Sequence, residues 1–154
     1  MKTLMLSVTF LAVLALVATA AILTTSFMLP VNDTLFLGGD TVAYAGVVHV
    51  VTKVVPPDPI VPPNPIVPVD VHINLAGVSG VGTSGIMYEF VGSANVHAMA
   101  TTDGHPTEVL AGGFRAVPHS NASPVDPCQV RVTFSLDATG SVSGVSAQLL
   151  EDVT

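Results

Sequence analysis

Charged side chains are scarce in this chain. Asp, Glu, Lys and Arg together make up 10% of the 154 residues, and only four of them are Lys or Arg, against eleven Asp and Glu. A phosphate backbone or an anionic membrane surface is bound through a patch of several cations, which four scattered ones do not build. The composition therefore excludes nucleic acid as a partner and excludes a basic membrane-binding surface. The formal net charge of −7 at pH 7 is typical of a protein that stays soluble outside the cell.

Cysteine and aromatic residues are scarce as well. Cys128 is the only cysteine, so the chain forms no intrachain disulfide, and the valines that alternate with it predict a buried thiol that behaves as a small hydrophobe. The sequence has no Trp, and aromatic residues make up only 5%, which leaves little material for the aromatic platforms of sugar-binding sites. Lys and Glu, which commonly cover the solvent face of helices, are nearly absent, so the composition favours strands.

One long apolar run stands at the N-terminus. The stretch from Leu4 to Leu23 carries no charge, follows Lys2, and contains Ala18-Thr19-Ala20, which matches the small-x-small pattern of a signal-peptide cleavage site. We predict a signal peptide over residues 1–20, followed by a secreted, periplasmic or extracellular domain. The alternative is an uncleaved membrane anchor that reaches to about residue 29, because about 20 apolar residues suffice to cross a bilayer.

Alternation of apolar and polar residues predicts that residues 21–154 fold as a single β-domain. Two runs alternate strictly, which places apolar side chains on one face of a strand and polar side chains on the other. We predict an antiparallel β-sandwich of about seven strands, with a partly closed β-barrel as the alternative, and no helix outside the N-terminal segment. The apolar positions of the two runs are Val69, Val71, Ile73 and Leu75, and Cys128, Val130, Val132, Phe134 and Leu136.

Weaker strand signals fill the rest of the domain. Tyr88 and Phe90 alternate with Met87 and Glu89, and Gly112-Gly113 indicates a bulge within its strand. The last two strands, separated by a turn signal at 137–140, form a predicted antiparallel hairpin. The candidate strands are 41–55, 86–91, 95–101, 109–117, 128–137 and 141–151.

A proline-rich segment over 56–68 interrupts these strands. It contains two tandem hexads, 57–62 and 63–68, which differ only at Asp58 and Asn64. Proline lacks the backbone donor that helices and central strands need, so the segment is predicted to form an extended polyproline loop that joins two strands. A ligand for an aromatic-lined groove is the alternative.

The run Gly80-Val81-Gly82-Thr83-Ser84-Gly85 matches the dinucleotide-binding fingerprint letter for letter. That motif requires a helix to begin at the glycines so that its N-terminus meets the pyrophosphate. The residues that follow, 86–90, have the pattern of a strand. We therefore interpret the glycines as a hairpin connection, and we assign the chain no cofactor and no cofactor-binding residue.

Five histidines supply the remaining candidates for chemistry. His49 and His72 lie in predicted strands, and if those strands pair, the two imidazoles with Asp70 form a candidate metal site. The simpler interpretation is that both are solvated on the polar face of the sheet. Glu89 is flanked by two aromatic residues, which would raise the pKa of its carboxyl group if it were buried. No nucleophile motif accompanies these residues, so no catalytic residue is assigned.

These observations predict a secreted, non-enzymatic β-module with a structural or protein-interaction role, whose partner is a protein or a component of the cell surface. Two alternatives remain open. The first is a small secreted hydrolase that uses His49, His72 or Glu89. The second is a lipocalin-like carrier, which requires a closed barrel around an apolar cavity.

Overall fold

A computed structural model describes residues 21–57, 65–121 and 124–152, and throughout these ranges the regular structure is β-strand. Within the same ranges no helix is long and apolar enough to span a membrane. The signal peptide predicted over 1–20 lies outside the described residues. The strands are β1 (Leu23–Leu37), β2 (Asp40–Val54), β3 (Ile66–Gly82), β4 (Met87–Val91), β5 (Ser93–Thr101), β6 (Pro106–Pro118), β7 (Asp126–Leu136) and β8 (Val142–Glu151).

All eight strands belong to one antiparallel sheet. The order is β1-β2-β3-β4-β6-β7-β8, and β5 pairs with the first half of β3 beside β4. The sheet curves until β1 and β8 come into side-chain contact, so the fold is a nearly closed, barrel-like structure. The prediction of an antiparallel all-β fold is confirmed. The structure has one continuous sheet in place of the two sheets of a sandwich, because β4 pairs with both β3 and β6.

The core of the barrel follows from the alternation in the sequence. The apolar positions predicted for β3 and β7 are all buried, and Cys128 is completely buried among them. Tyr88 and Phe90 of β4 point inward while Met87 and Glu89 are exposed, as predicted. Phe90, Phe114 and Phe134 are the largest fully buried side chains. These buried residues form one hydrophobic core cluster inside the sheet.

Strand β1 was not among the predicted strands, and it explains why the structure has eight rather than about seven. Its first half covers residues 23–29, the end of the alternative membrane anchor, and the structure gives these residues a β-strand. Leu23, Phe27 and Leu29 point inward, and Met28 points to solvent. The alternation of inward and outward residues is present in β1, but Met28 is apolar and lies on the outer face, so the sequence does not show a clear apolar–polar pattern.

The proline-rich segment lies only partly within the described residues. Residues 58–64 fall outside them, and residues 66–68, which we predicted as polyproline, begin β3 instead. Pro68 lies opposite Met99 of β5, beyond the last residue pair that joins β2 to β3. Its missing amide therefore costs no hydrogen bond to β2, which is why a strand accepts proline here.

A row of four glycines crosses the sheet where its strands bend. The pairing of β2 with β3 shifts at the first of them, the third separates β4 from β5, and the pairing of β6 with β7 shifts at the last. On one side of this glycine row β4 joins β3 to β6. On the other side β3 pairs with β5, and no pairing joins β5 to β6 among the described residues. The row consists of Gly46, Gly77, Gly92 and Gly113.

At two members of the glycine row, Gly46 and Gly92, the neighbouring strands approach so closely that a side chain would meet backbone atoms. A Cβ atom on Gly46 would stand 2.5 Å from the carbonyl oxygen of Gly77, and one on Gly92 would stand 3.0 Å from that of Gly113. Both clashes involve backbone atoms, which cannot move aside without disturbing the strand pairing. The close approach of the strands therefore depends on the absence of side chains at Gly46 and Gly92.

Replacement of Gly46 by Ala should destabilise the fold. Because the new methyl group meets backbone, we expect the free energy of unfolding to fall by about 1–3 kcal/mol, as overpacked positions commonly show. Urea denaturation followed by circular dichroism measures the change. Gly112→Ala is the matched control, because a Cβ there meets nothing within 4 Å. Equal stability of the two variants would contradict the role given to Gly46.

Candidate functional site

Among the residues that the structure describes, no main-chain pairing closes the sheet between its first and last strands, β1 and β8, and this boundary is called the seam. Seven strands follow one another around the sheet, and every neighbouring pair is antiparallel. With an odd number of positions, the first and the last strand run in the same direction. No main-chain pairing joins β1 to β8 in the described part of the chain, so each strand keeps one unpaired edge.

Side chains connect the two strands in one half of the seam, between residues 33–36 of β1 and 148–151 of β8. This half is called the upper half, and the other half the lower half. The amide of Phe36 donates a hydrogen bond to Oε1 of Glu151 (2.9 Å), and the side-chain amide of Gln148 donates one to Oδ2 of Asp33 (3.4 Å). From the Asp33–Gln148 contact to the Phe36–Glu151 contact, both strands move forward by three residues, as expected for strands that run in the same direction. From the core side, the phenol of Tyr44 reaches the backbone of β8, and burial raises the pKa of this phenol. These contacts close the seam at one end only.

A cleft of about 470 Å³ opens on the seam. Arg131 of β7 lies in it, bound to the side-chain oxygen of Gln148 and 3.9 Å from the carboxylate of Glu108. Together with Asp33, these residues form a polar chain across four strands. Arg131 is one of only three cations after residue 20, and two carboxylates accompany it here. The other lining residues are Pro30, Val31, Asn32, Tyr44, Thr133, Ser146 and Ala147.

The candidate metal-binding histidines lie elsewhere, on the outer face of β2 and β3. The two strands do pair, but His49 stands opposite Asn74 and His72 stands opposite Val51, so the imidazoles are diagonal neighbours. His49 forms a hydrogen bond with the hydroxyl of Ser26 (2.8 Å). The structure therefore gives each imidazole its own polar partner.

The carboxylate expected near these histidines is engaged by another residue. His72 donates from Nδ1 to the side-chain oxygen of Asn95 (2.8 Å), while Asp70 accepts from Nδ1 of His97. In the described part of the chain, no group of three or more His, Cys, Asp and Glu side chains gathers as a metal site would require. His49, His72 and Asp70 share a sheet face without converging.

Glu89, the third candidate for hydrolase chemistry, lies on the outer face of β4. Its side chain is 62% exposed, and its nearest ionisable neighbour is His119, at 3.8 Å. The aromatic residues beside it, Tyr88 and Phe90, point to the opposite face of the strand. Glu89 is thus solvated, and the structure does not bring it together with His49 or His72.

The glycine-rich run over 80–85 forms the connection between β3 and β4, as predicted. Its two hydroxyl residues bind the carboxylate of Asp40, which lies at the start of β2 and is 8% exposed. The Thr83 hydroxyl donates at 2.6 Å, and the Ser84 hydroxyl and amide donate as well. The hydroxyl of Ser84 contributes most to lowering the pKa of Asp40. The polar groups of this run therefore donate hydrogen bonds to a carboxylate of the same chain.

Two further aspartates organise turns at the opposite end of the barrel. Asp103 accepts hydrogen bonds from the hydroxyl of Thr101 and the amide of His105, which together lower its pKa to about 2. Asp137 accepts bonds from Thr139 and Ser141, which lower the pKa of its carboxyl group. Each carboxylate fixes the turn that it belongs to.

These aspartates predict how stability depends on pH. A carboxyl group with a lowered pKa in the folded state stabilises the fold above its unfolded pKa, here about 3.8, and this contribution is lost as the pH falls through the folded value. We expect the melting temperature to be constant near pH 6 and to fall steadily from pH 4 towards pH 2. Thermal melts across this range test it, and Asp103→Asn should show a shallower fall. A flat profile down to pH 2 would contradict the assignment.

Cys128 is an inert thiol. It lies on the inner face of β7, and burial raises its pKa to about 12. Because only the thiolate reacts, we expect native protein at pH 8 to resist a disulfide reagent such as dithionitrobenzoate, whereas denatured protein should react fully. Release of the coloured thiolate measures the reaction. Rapid labelling of the native state would show that the thiol is accessible.

No protein-family model, curated protein or solved structure matches this chain. The site is therefore argued from its own geometry. Sequence reasoning missed the seam, since Asp33 and Gln148 are 115 residues apart and neither belongs to a motif. The one signal available was Arg131, a rare cation on the polar face of a strong strand.

Proposed function

We propose that this chain is an exported, non-enzymatic module that binds a partner through the seam between β1 and β8. Export rests on the N-terminal segment, with its apolar run and its Ala18-Thr19-Ala20 cleavage pattern. Binding rests on the seam, where the unpaired edges of β1 and β8 lie beside a cleft of about 470 Å³. This is the single observation that carries the proposal.

The distribution of ionisable groups supports a binding role over a catalytic one. Asp40, Asp103 and Asp137 are occupied by hydrogen bonds within turns and connections. His49, His72 and Glu89 lie on the outer face of the sheet, and each contacts a different residue. At the seam, by contrast, polar side chains from four strands line a cleft that is wide enough to accept a segment of another molecule.

A bulky substitution in the cleft tests the proposal. Ser146 lines the cleft and is exposed, so Ser146→Trp should fill part of the opening without touching the core. We expect the tagged wild-type protein to retain one or more partners from the medium of the source cells, and the variant to lose them. Quantitative mass spectrometry of the retained proteins measures the difference, and the intact mass of the module reports whether residues 1–20 were removed.

Ser79→Trp is the matched control. Ser79 is exposed on the outer face of β3, opposite Glu89, and does not line the cleft. It should retain the same partners as the wild-type protein. Equal retention by both variants, or retention of nothing by the wild-type protein, would overturn the proposal.

A further inference from the structure

In the lower half of the seam, the inner face is less completely buried than in the centre of the sheet. Along residues 23–29 of β1 and 142–147 of β8, the inward-facing apolar side chains are only partly buried, whereas their counterparts in β3 and β7 are 0–1% exposed in the centre of each strand. These two stretches and the space between them are called the gap. The partly buried residues are Leu23, Phe27, Leu29, Val142, Val145 and Ala147.

The edge of β1 that faces the gap carries amides that no strand pairs with in the described part of the chain. Phe36 directs its amide across the seam to Glu151, and β1 pairs with β2 without a register shift from end to end. Because amide directions alternate along a strand, the amides of Thr24, Ser26 and Met28 also point away from β2. Pro30 occupies the same phase and has no amide, so the row of donors ends there.

Strand direction determines what fits in the gap. Every neighbouring pair of strands in this sheet is antiparallel, whereas β1 and β8 run the same way. One additional strand, antiparallel to both, would bring the number of positions to eight and satisfy both edges with the geometry used elsewhere in the sheet. Its inward side chains, at every second position, would cover the partly buried residues.

The charges around the seam select the chemistry of the occupant. Asp33, Glu108 and Glu151 lie on or beside it with Arg131 as their single cation, and the whole chain carries a net charge of −7. A strand antiparallel to β1 has its N-terminal end near Asp33. A second copy of this acidic chain is disfavoured by repulsion, and a peptide that is cationic at its N-terminal end is favoured.

We propose that the gap binds an extended peptide segment of a cationic partner, which adds to the sheet between β1 and β8 with its N-terminal end towards Asp33. The segment has small or β-branched apolar side chains at alternate positions. The inference rests on the proposed function, since it names the occupant of the same seam.

Peptide titration tests this inference. The probe is a fluorescent nine-residue peptide of alternating Val and Thr that begins with two Lys, and the protein is the full chain in the form in which the expressing host leaves it. We expect saturable binding by fluorescence anisotropy. A peptide that begins with two Glu should bind roughly fivefold more weakly, and the difference should shrink in 0.5 M salt, because salt screens the charges.

A pair of variants at one position isolates the main-chain contact. Met28 is 62% exposed, so Met28→Ala removes no core packing and keeps the amide, whereas Met28→Pro removes an amide that faces the gap. We expect M28A to bind as the wild-type protein does. M28P should bind about tenfold more weakly, which corresponds to the loss of one main-chain hydrogen bond. Pro30 lies two residues further along β1 with the same orientation, so the strand already contains a proline at an equivalent position. Circular dichroism is used to check that both variants fold.

Three results would overturn the inference: equal binding by M28P and M28A, equal affinity for the Lys and Glu peptides, or a dimer in sedimentation experiments that the peptide does not dissociate. None of these results by itself contradicts the proposed function. If Ser146→Trp still abolishes partner retention while the peptide fails to bind, the seam remains the binding site and only the strand-addition mode is wrong. If Ser146→Trp retains every partner, the proposed function fails whatever the peptide does.

Discussion

The close approach of strands at the glycine row is the constraint on which the rest of this barrel depends. A flat sheet of eight strands would leave its apolar face open to water, and burial of that face is the main source of stability in an all-β domain. Gly46 and Gly92 let neighbouring backbones come within the space that a Cβ atom would occupy. The sheet can therefore turn back on itself and enclose the phenylalanines and valines that all its strands direct inward.

The incomplete closure of the barrel follows from the same bend. Because the chain turns from β4 to β5 at Gly92, the two short strands share one position beside β3, and seven positions remain around the sheet. An odd number places β1 and β8 in parallel, which the short hairpin connections of this chain do not otherwise produce. Side chains such as Asp33 and Gln148 then replace main-chain pairing at the seam. The seam is thus a consequence of topology rather than a local irregularity.

Many polar side chains that are candidates for chemistry in the sequence form hydrogen bonds with nearby side chains of the same chain. The hydroxyls of Thr83 and Ser84 bind Asp40, and His97 binds Asp70. A letter-for-letter match to a phosphate-binding motif becomes a hairpin connection because a strand, not a helix, follows it. The histidines on the polar face lie where strand alternation places them, and the register of β2 against β3 keeps His49 and His72 in different rows.

Local pattern was sufficient for the all-β class, the buried faces of β3, β4 and β7, the C-terminal hairpin, the bulge in β6 and the buried state of Cys128, because a period of two is expressed within a few consecutive residues. It was insufficient for β1, where Met28 on the outer face concealed the alternation, and for the change from two sheets to one. Local pattern did not predict the seam between β1 and β8. Whether Asp33 meets Gln148 depends on the number of strands between them and on the curvature of the sheet, and these quantities exist only once every strand has paired.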